Sequence, residues 1–187
     1  MHAQDRIALP RCAIVAMGVS GSGKSTLVAC LAARLDCPAI EGDDYHAAAS
    51  VAKMRAGQPL DDADRWPWLD RLGKTIGATV AETGIAVAAC SALKRSYRRR
   101  LEAAAGIPLL FVLLDGTRDA IAGRLATRTA HYMPATLLDS QFAALERPAA
   151  DENALVLSPS RSADDACHDV LAWIAALSLT TGPHTAG

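Results

Sequence analysis

The segment Gly18-Val19-Ser20-Gly21-Ser22-Gly23-Lys24-Ser25 constrains this chain more than any other stretch. It matches G-x-x-x-x-G-K-[ST] at every fixed position. A short apolar run, Cys12 to Met17, precedes it, and a stretch with Leu27, Leu31 and Leu35 four apart follows. The first reads as a buried parallel strand and the second as a helix ended by Asp36 and Pro38. Glycines between a strand and a helix let backbone N–H groups converge on phosphate oxygens, and the helix N-terminus adds partial positive charge. On this reading Gly18 to Ser25, with Thr26, hold the phosphates of ATP. Lys24 reaches the β- and γ-phosphates, and the Ser25 hydroxyl is a ligand for Mg²⁺.

The alternation continues along the chain. Pro38 to Glu41, Ile85 to Cys90, Leu109 to Leu114 and Ala154 to Leu157 are further short apolar runs. Helical spacing recurs over Trp68 to Val80, Ile121 to Arg128 and Thr136 to Leu145, and in Cys167, Val170, Leu171, Ile174 and Leu177. This predicts a single α/β domain over residues 1–187, with a parallel sheet covered on both faces and a frayed tail at 178–187. With 187 residues, one core can form without a metal or disulfide staple. A chain that is 51% apolar and 21% charged is not a disordered one. Lys+Arg at 19 against Asp+Glu at 20 gives a net charge of -1, which argues against a dedicated nucleic-acid or anionic-membrane binder.

No apolar run approaches the roughly 18 residues of a membrane span, and no secretory leader is evident. Five cysteines without a C-x-x-C pair read as reduced thiols rather than a zinc site, so the expected location is cytoplasmic.

A loop that binds ATP can serve a switch, a motor or a kinase. The chain has no N-K-x-D guanine-reading segment and is short for a motor. A kinase needs a carboxylate near the acceptor hydroxyl, cations for the acceptor, and arginines over the transferring group. Glu41-Gly42-Asp43-Asp44 follows the second strand, at the carboxyl end where α/β proteins bind ligands. Asp43 is the candidate to orient the attacking hydroxyl, to accept its proton, or to hold Mg²⁺ through a water. Arg124 and Arg128, four apart, share a helix face and suit a base and phosphates. His131, Tyr132 and Pro134 read as a short lid.

Several longer blocks narrow the choice. They are Met17 to Ser25, Glu41-Gly-Asp-Asp-Tyr-His46, Lys53-Met54, Gly57-Gln-Pro-Leu60 and Asp62-Ala-Asp-Arg65-Trp-Pro-Trp-Leu69. Cys90-Ser-Ala-Leu-Lys94, Tyr97-Arg98, His131-Tyr-Met-Pro134 and Ser140-Gln141-Phe142 complete the set. From Ala13 to Leu157 the chain resembles the P-loop gluconokinases, relatives in fold of shikimate and adenylate kinases. The resemblance implies a three-layer α/β/α sandwich with five parallel strands in the order 2-3-1-4-5. Residues 12–43 would form the phosphate-loop unit and second strand, 44–80 an acceptor-binding helical cap, and 124–141 the lid.

The implied reaction moves the γ-phosphoryl group of ATP to the terminal hydroxyl of D-gluconate, with Mg²⁺. The resemblance puts Lys24, Asp43 and Arg128 in catalytic positions, and Asp43, His46, Lys53, Arg65, Lys94 and Arg98 around the acceptor. Arg65 is the first choice for the gluconate carboxylate, because a guanidinium binds one in two-pronged fashion. Trp66 and Trp68 read as packing. The chain departs from the family pattern at Glu41 (commonly Asp), at Asp44 and Tyr45, at Ala47 and Ser50 (commonly Pro and Asn), and at Ala130 (often Gly). The family is often dimeric, and a homodimer stays open because no apolar stripe marks an interface. A kinase of another small acid or polyol, such as shikimate, and a non-catalytic ATP-binding regulator are the alternatives.

Overall fold

The computed structural model describes residues 11–126 and 135–180. Five strands are present: β1 (Cys12–Met17), β2 (Ala39–Glu41), β3 (Ile85–Ala89), β4 (Leu109–Leu114) and β5 (Ala154–Leu157). They form one parallel sheet in the order β2-β3-β1-β4-β5, the order the resemblance implies. The central strand β1 is buried along its whole length, as an uninterrupted apolar run in a doubly covered sheet must be. Its side chains divide by the two-residue period of a strand. Ala13, Val15 and Met17 join the core on one face, and Ile14 and Ala16 the core on the other.

The second of these faces is covered by α1 (Lys24–Leu35) and α7 (Ala163–Thr180), through Leu27, Val28, Leu31, Cys167, Val170 and Ile174. The first is covered by α3 (Asp62–Thr83) and α4 (Arg95–Ala105), through Leu69, Leu72, Ile76, Val80, Tyr97 and Leu101. Leu69, Leu72 and Ile76 are fully buried, each contributing roughly 2 kcal/mol of apolar burial. These two helices pack closely. A Cβ on Gly77 would lie 2.2 Å from the carbonyl oxygen of Ala105, so only glycine permits this approach.

Three elements correct the sequence reading. Helical spacing places the start of α3 at Trp68, but the helix begins six residues earlier. Asp61 caps it: its side chain accepts from Asp64 N–H at 2.8 Å and Asp64 returns the bond to Asp61 N–H at 3.2 Å. Pro67 sits in the second turn. Helix α4 and the short α2 (Ala48–Arg55) are not assigned by spacing at all. Within the segment 44–80, α3 from Trp68 onward is a layer of the body, whereas Ser50 is the only buried residue of α2. Two further helices, α5 (Arg118–Ala126) and α6 (Ala135–Ala144), flank the carboxyl edge of the sheet, where Val19, Leu93, Ile121 and Leu138 form a third cluster. Helix α7 runs through Thr180, past the expected tail boundary at 178. Among the described residues no helix is long and apolar enough to cross a membrane.

Candidate active site

The turn between β1 and α1 has the form its glycines allow. Gly18, Gly21 and Gly23 adopt φ of 133°, 79° and 103°, values that a side chain would oppose. Helix α1 opens at Lys24 with no side-chain cap and no acid in its first turn, so its N-terminal N–H groups and partial positive charge are available to an anion. Lys24 Nζ donates to the carbonyls of Gly18 (3.1 Å) and Val19 (3.0 Å), at the start of the loop. Val19 itself is buried, so only its backbone can serve a nucleotide. Ser20 N–H differs from the expectation: it donates to Gln141 Oε1 at 2.7 Å.

The other side of the loop opens into a cleft of about 290 Å³, lined by Gly21, Gly23, Thr26, Arg124, Ser158 and Arg161. Arg124 lines this cleft and donates to the Pro159 carbonyl. The β5–α7 loop, with Ser158 and Arg161, escaped the sequence reading. Its only signal is a polar, proline-containing stretch after the last strand. Residues 127–134 of the expected lid, with Arg128, His131, Tyr132 and Pro134, lie outside the described residues.

Ser25 Oγ donates to Glu41 Oε2 at 2.7 Å. A hydroxyl and a carboxylate side by side are the hard oxygen donors that Mg²⁺ takes, with phosphate and water completing its shell. The residues present therefore fit the ion. Among the described residues no cluster of three or more His, Cys, Asp or Glu could hold a metal alone. In the sequence Glu41 stands out only as a departure from the family's aspartate; its contact with Ser25 gives it a place in the site.

A 3₁₀ turn, Gly42–Tyr45, follows β2 and carries Asp43. It is fastened to α3 at both ends: Trp68 Nε1 donates to the Gly42 carbonyl at 2.7 Å, and Arg71 donates to the Tyr45 carbonyl through Nε (3.1 Å) and Nη2 (2.8 Å). Trp68 thus holds the turn that carries Asp43 as well as packing in the core. Asp43 is exposed, and its charge is felt by His46 and by Cys90 at the end of β3. The His46 ring stacks on Trp68 with centroids 4.1 Å apart. Burial pushes His46 below the usual histidine range, with Asp43 opposing the shift and Arg65 and Arg71 adding to it. Its buried Nδ1 has no hydrogen-bond partner among the described residues. A neutral imidazole carries one donor and one acceptor nitrogen, the chemistry a hydroxyl ligand needs.

Arg65 and Lys94 converge on Tyr97 and Asp62. Lys94 Nζ donates to Asp62 Oδ1 at 2.9 Å, Tyr97 donates to the same oxygen, and Arg65 Nη1 donates to Tyr97 Oη at 3.2 Å. Both cations lie near the Tyr97 ring, at 5.4 and 5.2 Å from its centroid. Hydrogen bonds from Tyr97 and Lys94 hold Asp62 below the usual carboxylate range, and burial raises Tyr97, so the phenol stays neutral. The sequence reading quotes Asp62 and Tyr97 within its blocks but gives a role only to Arg65 and Lys94.

The structure does not bring Arg98 into this group. Its side chain is 1% exposed. Nε and Nη2 donate to the two Glu152 oxygens at 2.5 and 3.0 Å, and Nη1 serves the carbonyls of Ala92, Leu93 and Glu146. Arg98 braces the loop that presents Lys94 and has no face toward an acceptor. Lys53 is bound to Asp64 at 2.7 and 2.8 Å, joining α2 to the start of α3.

Fold and site together define the class: this is a P-loop kinase. A family model described as an AAA domain matches residues 14–148. The gluconokinase of Gluconobacter oxydans (strain 621H) is 46% identical over 151 residues, which is 81% of this chain and 84% of that protein. The probable gluconokinase of Mus musculus is 44% identical over 165 residues, covering 80% and 90%. The crystal structure of a gluconokinase from Sinorhizobium meliloti 1021 superposes with a TM-score of 0.83 at 38% identity, covering 93% of this chain and 98% of that one. The chain belongs to the gluconokinase family.

Proposed function

We propose that this protein transfers the γ-phosphoryl group of ATP to the terminal hydroxyl of D-gluconate, giving 6-phospho-D-gluconate and ADP in the cytoplasm. The observation that carries the acceptor reading is the charge of the Arg65–Lys94 cluster. Two cations face one carboxylate, Asp62, and Tyr97 stays neutral, which leaves one positive charge for a monocarboxylate ligand. Arg65 takes the gluconate carboxylate with Lys94 beside it, and the neutral His46 imidazole meets a hydroxyl along the chain.

Asp43 orients the terminal hydroxyl and receives its proton. In a loose transition state this placement matters more than proton removal. Lys24 shifts from its loop carbonyls to the β- and γ-phosphates, and Arg128 is assigned from the sequence to the charge of the transferring group. Ser25, with Glu41 and Asp43, would hold Mg²⁺, which would neutralise charge on the phosphate oxygens. Gly18 to Thr26 and Arg124 hold the nucleotide.

A pair of acceptors tests the carboxylate pocket: D-gluconate and its neutral polyol analogue D-sorbitol. The unsubstituted protein is expected to favour gluconate, and Arg65→Met to lose at least about tenfold of that preference, the magnitude of one charge-assisted hydrogen bond. An unchanged preference would remove Arg65 from the pocket.

A further inference from the structure

The block Ser140-Gln141-Phe142 has no task in the reaction as described, yet it reaches the phosphate loop. Helix α6 lies against the loop through Leu138, which is buried with Val19, Leu93 and Ile121, and Phe142 packs on the same cluster. From this helix Gln141 Oε1 accepts the Ser20 N–H at 2.7 Å. The donor settles the orientation of the amide, because only its oxygen accepts.

The position of Ser20 in the loop gives this bond its meaning. Lys24, the lysine of the β- and γ-phosphates, rests its Nζ on the carbonyls of Gly18 and Val19. The nucleoside cleft opens on the other side, beside Gly21, Gly23 and Thr26. Ser20 follows Val19 and so belongs to the γ end. A few residues beyond Gln141, the same segment grips the acceptor loop. Glu146 N–H donates to the Leu93 carbonyl at 2.8 Å, and Glu146 Oε2 accepts the Arg95 N–H at 2.7 Å, at the start of α4. Lys94 lies between these two attachment points. Residues 141–146 therefore span from the γ end of the phosphate loop to the loop that presents an acceptor cation.

We propose that Gln141 is a positioning residue for phosphoryl transfer: through Ser20 N–H it fixes the γ end of the phosphate loop relative to the acceptor loop. Transfer depends steeply on the placement of the two reacting groups, so loss of this tie lowers turnover without loosening either ligand. The inference rests on the loop holding ATP as proposed above. Direct binding of Mg-ADP to the unsubstituted protein and its turnover with gluconate check that reading separately, whatever the Gln141 variants do.

Two variants test the proposal. Gln141→Met keeps the length and removes the acceptor; kcat is expected to fall about tenfold while the Kd of Mg-ADP and the KM of gluconate stay within about twofold. Gln141→Glu keeps an acceptor for Ser20 N–H but sets a negative charge at the γ end. It is expected to recover most of kcat at saturating nucleotide, and to weaken Mg-ATP several-fold more than Mg-ADP. Thermal melting of both variants, expected within about 3 °C of the unsubstituted protein, shows that the fold is kept. A wild-type kcat in Gln141→Met, or equal weakening of ATP and ADP in Gln141→Glu, overturns the proposal.

Discussion

Replacing Arg98 by alanine separates a structural role from an acceptor-binding one. The guanidinium is buried, paired with both oxygens of Glu152 and bonded to three carbonyls. Arg98→Ala leaves the Glu152 carboxylate, itself only 11% exposed, without its cation. Breaking a buried pair from one side costs about 3–5 kcal/mol. For a chain of this size each kcal/mol moves the melting temperature by about 2–4 °C, so a fall of roughly 6–20 °C is expected. The loss has a pH signature as well. The hydrogen bonds from Arg98 are the main cause holding Glu152 below its usual range, so the pair stabilises the fold above the unfolded glutamate pKa. That contribution disappears as pH falls through the lower folded value.

Melting curves from pH 7 to pH 3 should therefore converge for the two proteins at the acid end. Adding Glu152→Leu to Arg98→Ala removes the orphaned charge and should restore part of the loss. The carbonyl of Ala92, a residue held at φ 41°, would also lose a donor, so Lys94 presentation should suffer in kcat/KM only as the loop loosens. An unchanged melting temperature with a raised KM for gluconate would refute this reasoning and return Arg98 to the acceptor pocket.

Other outcomes follow from the same geometry. Asp43→Asn should lower turnover at least about 10²-fold while the Kd of Mg-ATP stays within about threefold, measured by calorimetry; retained turnover would remove Asp43 from its role. Gly77→Ala gains about 1 kcal/mol of helix propensity but sets a methyl 2.2 Å from the Ala105 carbonyl, an overpacking cost of about 1–3 kcal/mol, so a lower melting temperature is expected. His46, pushed down by burial, resists protonation in the folded state while the unfolded chain takes up a proton near 6.5. Stability should thus fall as pH drops below about 6.5, and His46→Phe, which keeps the stack on Trp68, should flatten that slope between pH 7 and 5.5.

The frame of the fold was legible because its signals are local. The apolar run of β1, the glycines at 18, 21 and 23 and the leucines of α1 each mark their own element. Where a signal depended on partners far along the chain, it was hidden. The start of α3 was masked by Pro67, although Asp61 and Asp64 carry a capping box. Helix α4 is too rich in arginine to show an apolar stripe; Tyr97 and Leu101 are its only fully buried apolar side chains, and Arg98 is buried beside them. Composition cannot distinguish that arginine from an acceptor-binding one, because what decides is Glu152, 54 positions away. The phosphate loop follows β1 and Asp43 follows β2, so both could be assigned to the carboxyl end of the sheet from sequence, whereas the contact of Glu41 with Ser25 could not. Asp62 and Tyr97 acquire meaning only when α3 and α4 bring them to Arg65 and Lys94.

The most direct measurement is ADP release from Mg-ATP by the purified protein with D-gluconate, shikimate, AMP, other aldonic acids or no acceptor, with the product identified by phosphorus NMR. Turnover dependent on gluconate and well above the others, with a phosphomonoester on the terminal carbon, is the expected result. Turnover confined to shikimate or AMP, or none with any acceptor despite bound ATP, would contradict a gluconate-phosphorylating site.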